Sequence, residues 1–413
     1  MPVNSGTKRG SKVKFTFSGK EYNGTFLSKN GDYYSIKIEN GYDVKIIPEN
    51  VEFIEEPVQN STVEIKKKSV AGTGKEISLI TTGGTIVSKI DYTTGAVFPS
   101  LDITEITSKF PSLEEKFRLR HVNFLNILSE NMEPENWIGI AEAVVKESKK
   151  SQGIVISHGT DTMTYTAAAL AFMLSDLSIP VVLTGSQKSS DRPSSDSFLN
   201  LAGAINFAGT DLGEVCIAMH ESMSDDRVSL MRGVRTRKMH STRRDAFRSM
   251  GEKPLGFFKA GVTELNQEYK KAGPNTELCT KLETRVGMLY FHPGMQLEDM
   301  ESMMERKRGI VIMGTGLGHM ALKFLDNIRK YTRDGGKILM TSQCINGPVN
   351  LDVYATGREL ASAGVTWVEN MLPETAMVKM MHVMANYPDE DFEKIMRTNL
   401  RGEILYRETA GGF

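Results

Sequence analysis

The stretch Gly153-Ile-Val-Ile-Ser-His-Gly-Thr-Asp-Thr162 decides the fold. Ile154, Val155 and Ile156 form an unbroken β-branched run, the pattern of a strand buried on both faces of a parallel sheet. The run stops at His158-Gly159, gives way to Thr160, Asp161 and Thr162, and is followed by a helical stretch over 164–174. In open α/β sheets ligands bind in the loops just past the carboxyl ends of strands, where these three polar residues fall. The same arrangement stands upstream in Ile77-Ser-Leu-Ile-Thr-Thr-Gly-Gly-Thr-Ile86, with Thr85 behind a glycine pair. Two strand-end threonines, one backed by a carboxylate, point to hydroxyl nucleophiles rather than to a metal or nucleotide site.

Outward from this stretch, strand and helix alternate. Strands are predicted at 77–81, 153–157, 180–184 and 214–220. A helix over 135–149 places Trp137, Ile140, Ala141, Val144 and Val145 on one face behind Pro134. A mixed segment at 270–283 precedes a second set of strands at 285–290, 309–314 and 337–342. Such alternation gives a mostly parallel sheet covered by helices. The first 57 residues have another texture. Short aromatic and β-branched runs at 13–17, 22–27, 33–38, 44–47 and 51–54 are separated by Ser-Gly-Lys and Asn-Gly turns. The fold class expected is therefore α/β with a small N-terminal all-β SH3-like barrel. The boundaries expected are a barrel at 1–57, a polar Lys-rich linker at 58–75, a catalytic α/β domain at 76–270 and a second α/β domain at 284–413.

The chain has 413 residues, 40% hydrophobic and 24% charged, with a formal net charge of -1. Nothing in that balance calls for nucleic acid or an anionic membrane. The longest apolar run, at 167–174, is far short of the roughly 20 residues that span a bilayer. The first twelve residues carry no signal-peptide core, so a cytoplasmic, soluble protein with no membrane partner is the expectation. Cys216, Cys279 and Cys344 are few and far apart, which fits no disulfide framework. The seven histidines show no paired metal-ligand spacing, so no metal is expected.

A threonine hydroxyl has too high a pKa to attack an amide unaided and needs a neighbouring group to take its proton. Thr160-Asp161 supplies hydroxyl and carboxylate, and a lysine candidate lies in Val234-Arg-Thr-Arg-Lys-Met-His-Ser-Thr242. The alternative is that Thr-Asp-Thr merely caps the following helix. Gly314-Thr-Gly-Leu-Gly318 lacks dinucleotide-loop spacing, and Gly72-Thr-Gly-Lys75 lacks the upstream glycine and following Ser or Thr of a phosphate loop. No cofactor is therefore expected in this chain. Residues 227–253 are locally basic, which suits a solvated face, an interface edge or a nucleic-acid contact.

Thr82-Gly-Gly-Thr-Ile86 together with His158-Gly-Thr-Asp-Thr162, in this order and spacing, resembles the two signature motifs of the asparaginase/glutaminase family. The resemblance continues through Val181-Val-Leu-Thr-Gly185 and Lys238-Met-His-Ser-Thr242 and covers about residues 76–413. It implies a two-domain asparaginase-like α/β fold, with Thr85 as nucleophile and Tyr92 beside it in a lid. It further implies a second constellation of Thr160, Asp161 and Lys238. Ser129 would grip the substrate α-carboxylate, and Glu130 stands where bacterial asparaginases have a glutamine near the α-amino group. The chain departs from those enzymes at Gly314-Thr-Gly-Leu-Gly-His319, where His319 replaces a site asparagine.

The N-terminal barrel, with Ser342-Gln-Cys-Ile-Asn-Gly347 and Leu372-Pro-Glu-Thr375, is similar to one branch of that family. This branch comprises the glutaminase subunits of archaeal glutamyl-tRNA(Gln) amidotransferases. The resemblance implies that glutamine is hydrolysed and its ammonia passed to a GatE-type partner subunit acting on Glu-tRNA(Gln). A homodimer within a heterotetramer is expected, with ATP and Mg2+ bound by the partner. The rivals are a stand-alone L-asparaginase carrying an unrelated barrel and a catalytically inert scaffold subunit.

Overall fold

Alternating apolar residues fold the N-terminal segment into a sheet with its own core. The computed structural model describes residues 11–38, 43–55, 74–83, 88–90, 97–99, 113, 116–190, 194–266, 269–388 and 390–409. Strands β1 (Lys12–Phe17), β2 (Lys20–Asn30), β3 (Tyr33–Ile38), β4 (Asp43–Ile46) and β5 (Asn50–Glu55) form a five-stranded antiparallel sheet in the order β4-β3-β2-β1-β5. Val13, Phe15, Phe26, Tyr34 and Ile36 close its core. The register of β2 against β3 shifts between Phe26 and Ser28, the kind of irregularity that bends a strand. Most of the expected linker lies outside the described residues, and the next strand starts at Lys75.

The α/β region begins with β6 (Lys75–Thr81) and β7 (Phe117–Asn123). Helix α1 (Pro134–Ser148) leads to β8 (Gly153–Ser157), α2 (Met163–Met173), β9 (Val181–Thr184), α3 (Ser197–Ala208) and β10 (Val215–His220). β7, β6, β8, β9 and β10 are adjacent and parallel in that order. All five residues of β8 are buried, as its unbroken apolar pattern requires. The chain then reverses into β11 (Arg227–Arg232) and a short hairpin, β12 (Thr236–Lys238) with β13 (Phe247–Ser249). Strands β14 (Gly256–Lys259) and β15 (Val262–Leu265) follow. β11, β14 and β15 extend the main sheet antiparallel to eight strands. The mixed segment at 270–283 contributes Glu277–Leu278, paired with Leu174–Ser175.

The second set comprises β16 (Val286–Tyr290), α4 (Leu297–Arg306), β17 (Gly309–Gly314), α5 (Leu325–Arg333), β18 (Lys337–Ser342), α6 (Ala355–Ser362) and β19 (Val365–Trp367). Helices α7 (Pro373–Asn386) and α8 (Phe392–Met396) complete it. β16 to β19 form a four-stranded parallel sheet. α2 packs against α7 between the two sheets. Ten of its eleven residues are buried, as expected of a helix apolar all round. Among the described residues no helix is long and apolar enough to cross a membrane.

Candidate active site

The parallel pairing of β6 and β8 sets Thr81 opposite Ser157, so their C-terminal loops leave the sheet side by side. The Thr82 hydroxyl and backbone N–H both donate to the Ser157 carbonyl, at 2.9 and 3.1 Å. Gly83 has φ +113°, and a Cβ there would collide with the Ile127 carbonyl oxygen; only glycine adopts this conformation at low cost. Thr85 and Tyr92 lie outside the described residues.

Past β8 the loop is fastened from two sides. The Thr162 hydroxyl donates to the Ser129 carbonyl at 2.7 Å. Gly159 passes so close to Ser129 that an added Cβ would stand 2.6 Å from the serine Cβ. Ser129 is buried at the start of a single 3-10 turn, and Glu130 beside it is exposed. Thr162 is the residue before the first turn of α2, but its side chain does not cap the helix. The helix-cap alternative for Thr-Asp-Thr therefore holds for the position of Thr162 but not for its side chain, whose hydroxyl is taken by the tertiary bond to Ser129.

Lys238 joins the group from the β12–β13 hairpin, where it pairs with the fully buried Phe247. Its Nζ donates to Thr160 Oγ1 at 2.9 Å and to Asp161 Oδ1 at 2.7 Å. Thr160 is buried, whereas the Asp161 side chain is 68% exposed and the Lys238 side chain 14% exposed. An ion pair this open contributes about 0–1 kcal/mol, so the fold does not depend on it. The arrangement puts a hydroxyl, an amine and a carboxylate in one hydrogen-bonded line, which is what proton transfer to or from the hydroxyl requires.

The hairpin is rooted by long-range contacts that local sequence signals do not reveal. Arg235, almost fully buried, donates to the carbonyls of Met250, Asn370 and Glu403. The Arg237 guanidinium lies 3.5 Å from Glu374, and the Thr375 hydroxyl donates to the Val234 carbonyl at 2.9 Å. Behind the loop after β9, Asn200 donates to the Gly185 carbonyl and to Asp196, and His220 bonds Asn200 on one side and Asp225 on the other. A Cβ on Gly185 would lie 3.1 Å from Thr160 Cγ2, so this polar chain sets the wall against which Thr160 rests. Burial raises the Asp196 carboxyl, while the Gln187 and Lys188 N–H groups oppose the shift.

The basic run at 227–253 offers paired rather than open cations. Arg243 and Arg248 share Asp245, Arg244 binds Asp225, Arg232 binds Glu214 and Glu252, and Arg227 binds Glu221. His319 has no bond to the Thr160–Lys238 group. Its Nδ1 faces the Thr356 hydroxyl at 3.3 Å, its ring meets Tyr354, and its buried Nε2 has no partner among the described residues.

His158 is fully buried, with Nδ1 against the Gly159 carbonyl and Nε2 against the Thr166 hydroxyl. Burial pushes its pKa down to about 4, and burial does the same to His382. Both are therefore neutral in the fold but take up protons below about pH 6.5 when unfolded. The unfolded state then binds more protons, so stability falls as pH drops from 6.5 towards 4, by on the order of 2 kcal/mol per histidine at pH 5. The drop in urea midpoint from pH 7 to pH 5 should be smaller in His382→Gln than in the parent. Equal drops would mean that His382 titrates normally in the fold.

Comparisons with known proteins bear on the family and the fold. The family models for the asparaginase N-terminal domain and the glutaminase/asparaginase C-terminal domain match residues 76–271 and 285–397. The glutamyl-tRNA(Gln) amidotransferase GatD protein of Thermoplasma volcanium is 46% identical, over 96% of this chain and 97% of that protein. The GatD protein of Saccharolobus solfataricus is also 46% identical, over 92% and 88%. Among solved structures, the thermostable L-asparaginase from Thermococcus kodakarensis superposes with a TM-score of 0.73 at 30% identity, covering 80% of this chain and 99% of its own. L-asparaginase I from Vibrio cholerae gives 0.68 at 28%, covering 81% and 100%. With its motifs at adjacent strand ends and both domain models matched, the chain belongs to the asparaginase/glutaminase family.

Proposed function

We propose that this chain is the glutaminase subunit of a glutamyl-tRNA(Gln) amidotransferase. One observation carries the reading: the 46% match to GatD of Thermoplasma volcanium runs over 96% of the chain and so takes in the N-terminal sheet. The asparaginase structures cover about four fifths, which disfavours a stand-alone L-asparaginase. The Thr160, Asp161 and Lys238 side chains, hydrogen-bonded together, disfavour an inert scaffold.

In this reading the Thr85 hydroxyl attacks the side-chain amide carbon of glutamine. Its proton passes through the Thr160, Lys238 and Asp161 group to the departing nitrogen, the C–N bond breaks, and ammonia leaves an acyl-threonine. Water then repeats the cycle in reverse sense and releases glutamate. Backbone N–H groups near Gly83 and Gly84 stabilise the oxyanion. Ser129 holds the α-carboxylate, Glu130 and Asp161 face the α-amino group, and Tyr92 closes over the site. The ammonia goes to a GatE-type subunit that holds ATP, Mg2+ and the acceptor end of Glu-tRNA(Gln), within a cytoplasmic heterotetramer built on a homodimer of this chain. No cofactor is assigned to the chain itself, and the domain limits proposed are 1–57, 76–270 and 284–413.

The test is conversion of Glu-tRNA(Gln) to Gln-tRNA(Gln) with glutamine as donor, run beside the same reaction with free ammonium. The full chain with its partner should support both. A chain lacking residues 1–70 should keep its folded α/β core, because the N-terminal sheet has a separate core. That chain should lose glutamine-dependent conversion through weaker docking of partner or tRNA. Undiminished conversion by the truncated chain would remove the N-terminal sheet from coupling. Failure of the full chain with every partner would return the stand-alone asparaginase reading.

A further inference from the structure

α2 starts at the Thr160–Thr162 loop and ends, about 16 Å away at 1.5 Å per residue, at a second concavity. A cavity of about 310 Å³ lies there, bounded by the end of α2, the residues entering β10, the end of β11 and the C-terminal segment around Arg401. That volume is at the lower end of the range for small-molecule sites. Its wall is of two kinds. Leu174, Leu177, Val234 and Leu400 are apolar, while Arg232, Lys270, Arg401, Glu214 and Asp176 are charged.

The cations of the wall are not held alike. Arg232 is bound by Glu214 and Glu252, and Lys270 reaches Asp176 at 3.1 Å. Among the described residues the Arg401 guanidinium donates to backbone carbonyls alone, those of Ala171 at 2.8 Å and Leu400 at 3.0 Å. No carboxylate of the described residues pairs with it. Arg401 is thus the lining cation that no carboxylate of the described residues neutralises. A guanidinium fork is built to take a carboxylate through two parallel bonds.

We propose that this cavity is a binding site for a small organic monocarboxylate, seated with its carboxylate on Arg401 and its short apolar body against Leu174 and Leu177. A single guanidinium without a carboxylate partner matches the charge of a monoanion. The site is distinct from the Thr160–Lys238 group, which stands at the other end of α2.

The experiment is calorimetric titration of the full chain with isobutyrate and, separately, with inorganic phosphate. Isobutyrate should bind saturably at one site in the millimolar range. Arg401→Gln should weaken it at least about tenfold, the loss of a charge-assisted pair. Lys270→Gln, a change at an exposed position that leaves the core untouched, should weaken it several-fold. Lys238→Ala should bind isobutyrate as the parent does. The proposal fails if isobutyrate shows no saturable heat, or if phosphate binds more tightly than isobutyrate. It fails equally if Lys238→Ala loses the binding, which would place the ligand in the active site. Should Arg401→Gln not fold, unchanged binding in Lys270→Gln is sufficient to overturn it.

Discussion

Lys238→Ala should lower glutamine hydrolysis by on the order of a thousandfold or more, the usual cost of removing one member of a catalytic group that works as a unit. The loss should fall on kcat rather than KM, because Lys238 bonds Thr160 and Asp161 and is assigned no substrate contact. Lys238→Arg should not restore the rate, since the planar guanidinium stays charged and cannot take up a proton. The circular dichroism spectrum should be unchanged, because the hairpin is held by Phe247, Arg235 and Thr375 rather than by the lysine. Turnover above about a tenth of the parent's, with the spectrum intact, would exclude Lys238 from the chemistry.

Lys379→Met should destabilise the fold by about 3–5 kcal/mol, the cost of leaving a buried charge without its partner. Lys379 and Glu403 are both fully buried, with Nζ 2.6 Å from Oε1. Burial lowers the pKa of the Lys379 ammonium, and Glu403 opposes that shift. The lysine also donates to the carbonyls of Met396 and Thr398, and Glu403 accepts from the Leu400 and Arg401 N–H groups. Lys379→Met with Glu403→Leu should recover much of the loss but not all of it, since four backbone groups stay without partners. Urea denaturation of the two single variants and the double variant measures the coupling. Additive losses would show that the two charges do not stabilise each other.

The strands of the parallel layers were legible because their burial on both faces is written as unbroken apolar runs. Gly153–Ser157, Gly309–Gly314 and Lys337–Ser342 stand at the residues expected from sequence. The antiparallel extension through Arg227–Arg232, Gly256–Lys259 and Val262–Leu265 was not anticipated. These are short strands nearer the edge of the sheet, and their mixed polar and apolar residues give no clear period. Thr160 and Asp161 were legible as a site because a hydroxyl and a carboxylate follow a buried strand. Thr162 looked like a cap, and its bond to Ser129 could not be read locally. Arg235, Glu374 and Glu403 escaped for the same reason: their partners lie far away in the chain, and a charged residue carries no local mark of burial.

α2 has a thermal consequence. Its side chains belong to one continuous apolar cluster that runs from Ile80 and Ile154 through Leu170 and Phe172 to Val311, Leu339, Met380 and Ile404. The eight-stranded and four-stranded sheets therefore have no seam along which one could melt and leave the other intact, and a methyl group removed from either side weakens the same transition. The N-terminal sheet, whose cluster is its own, is free to open and close on a separate free-energy scale.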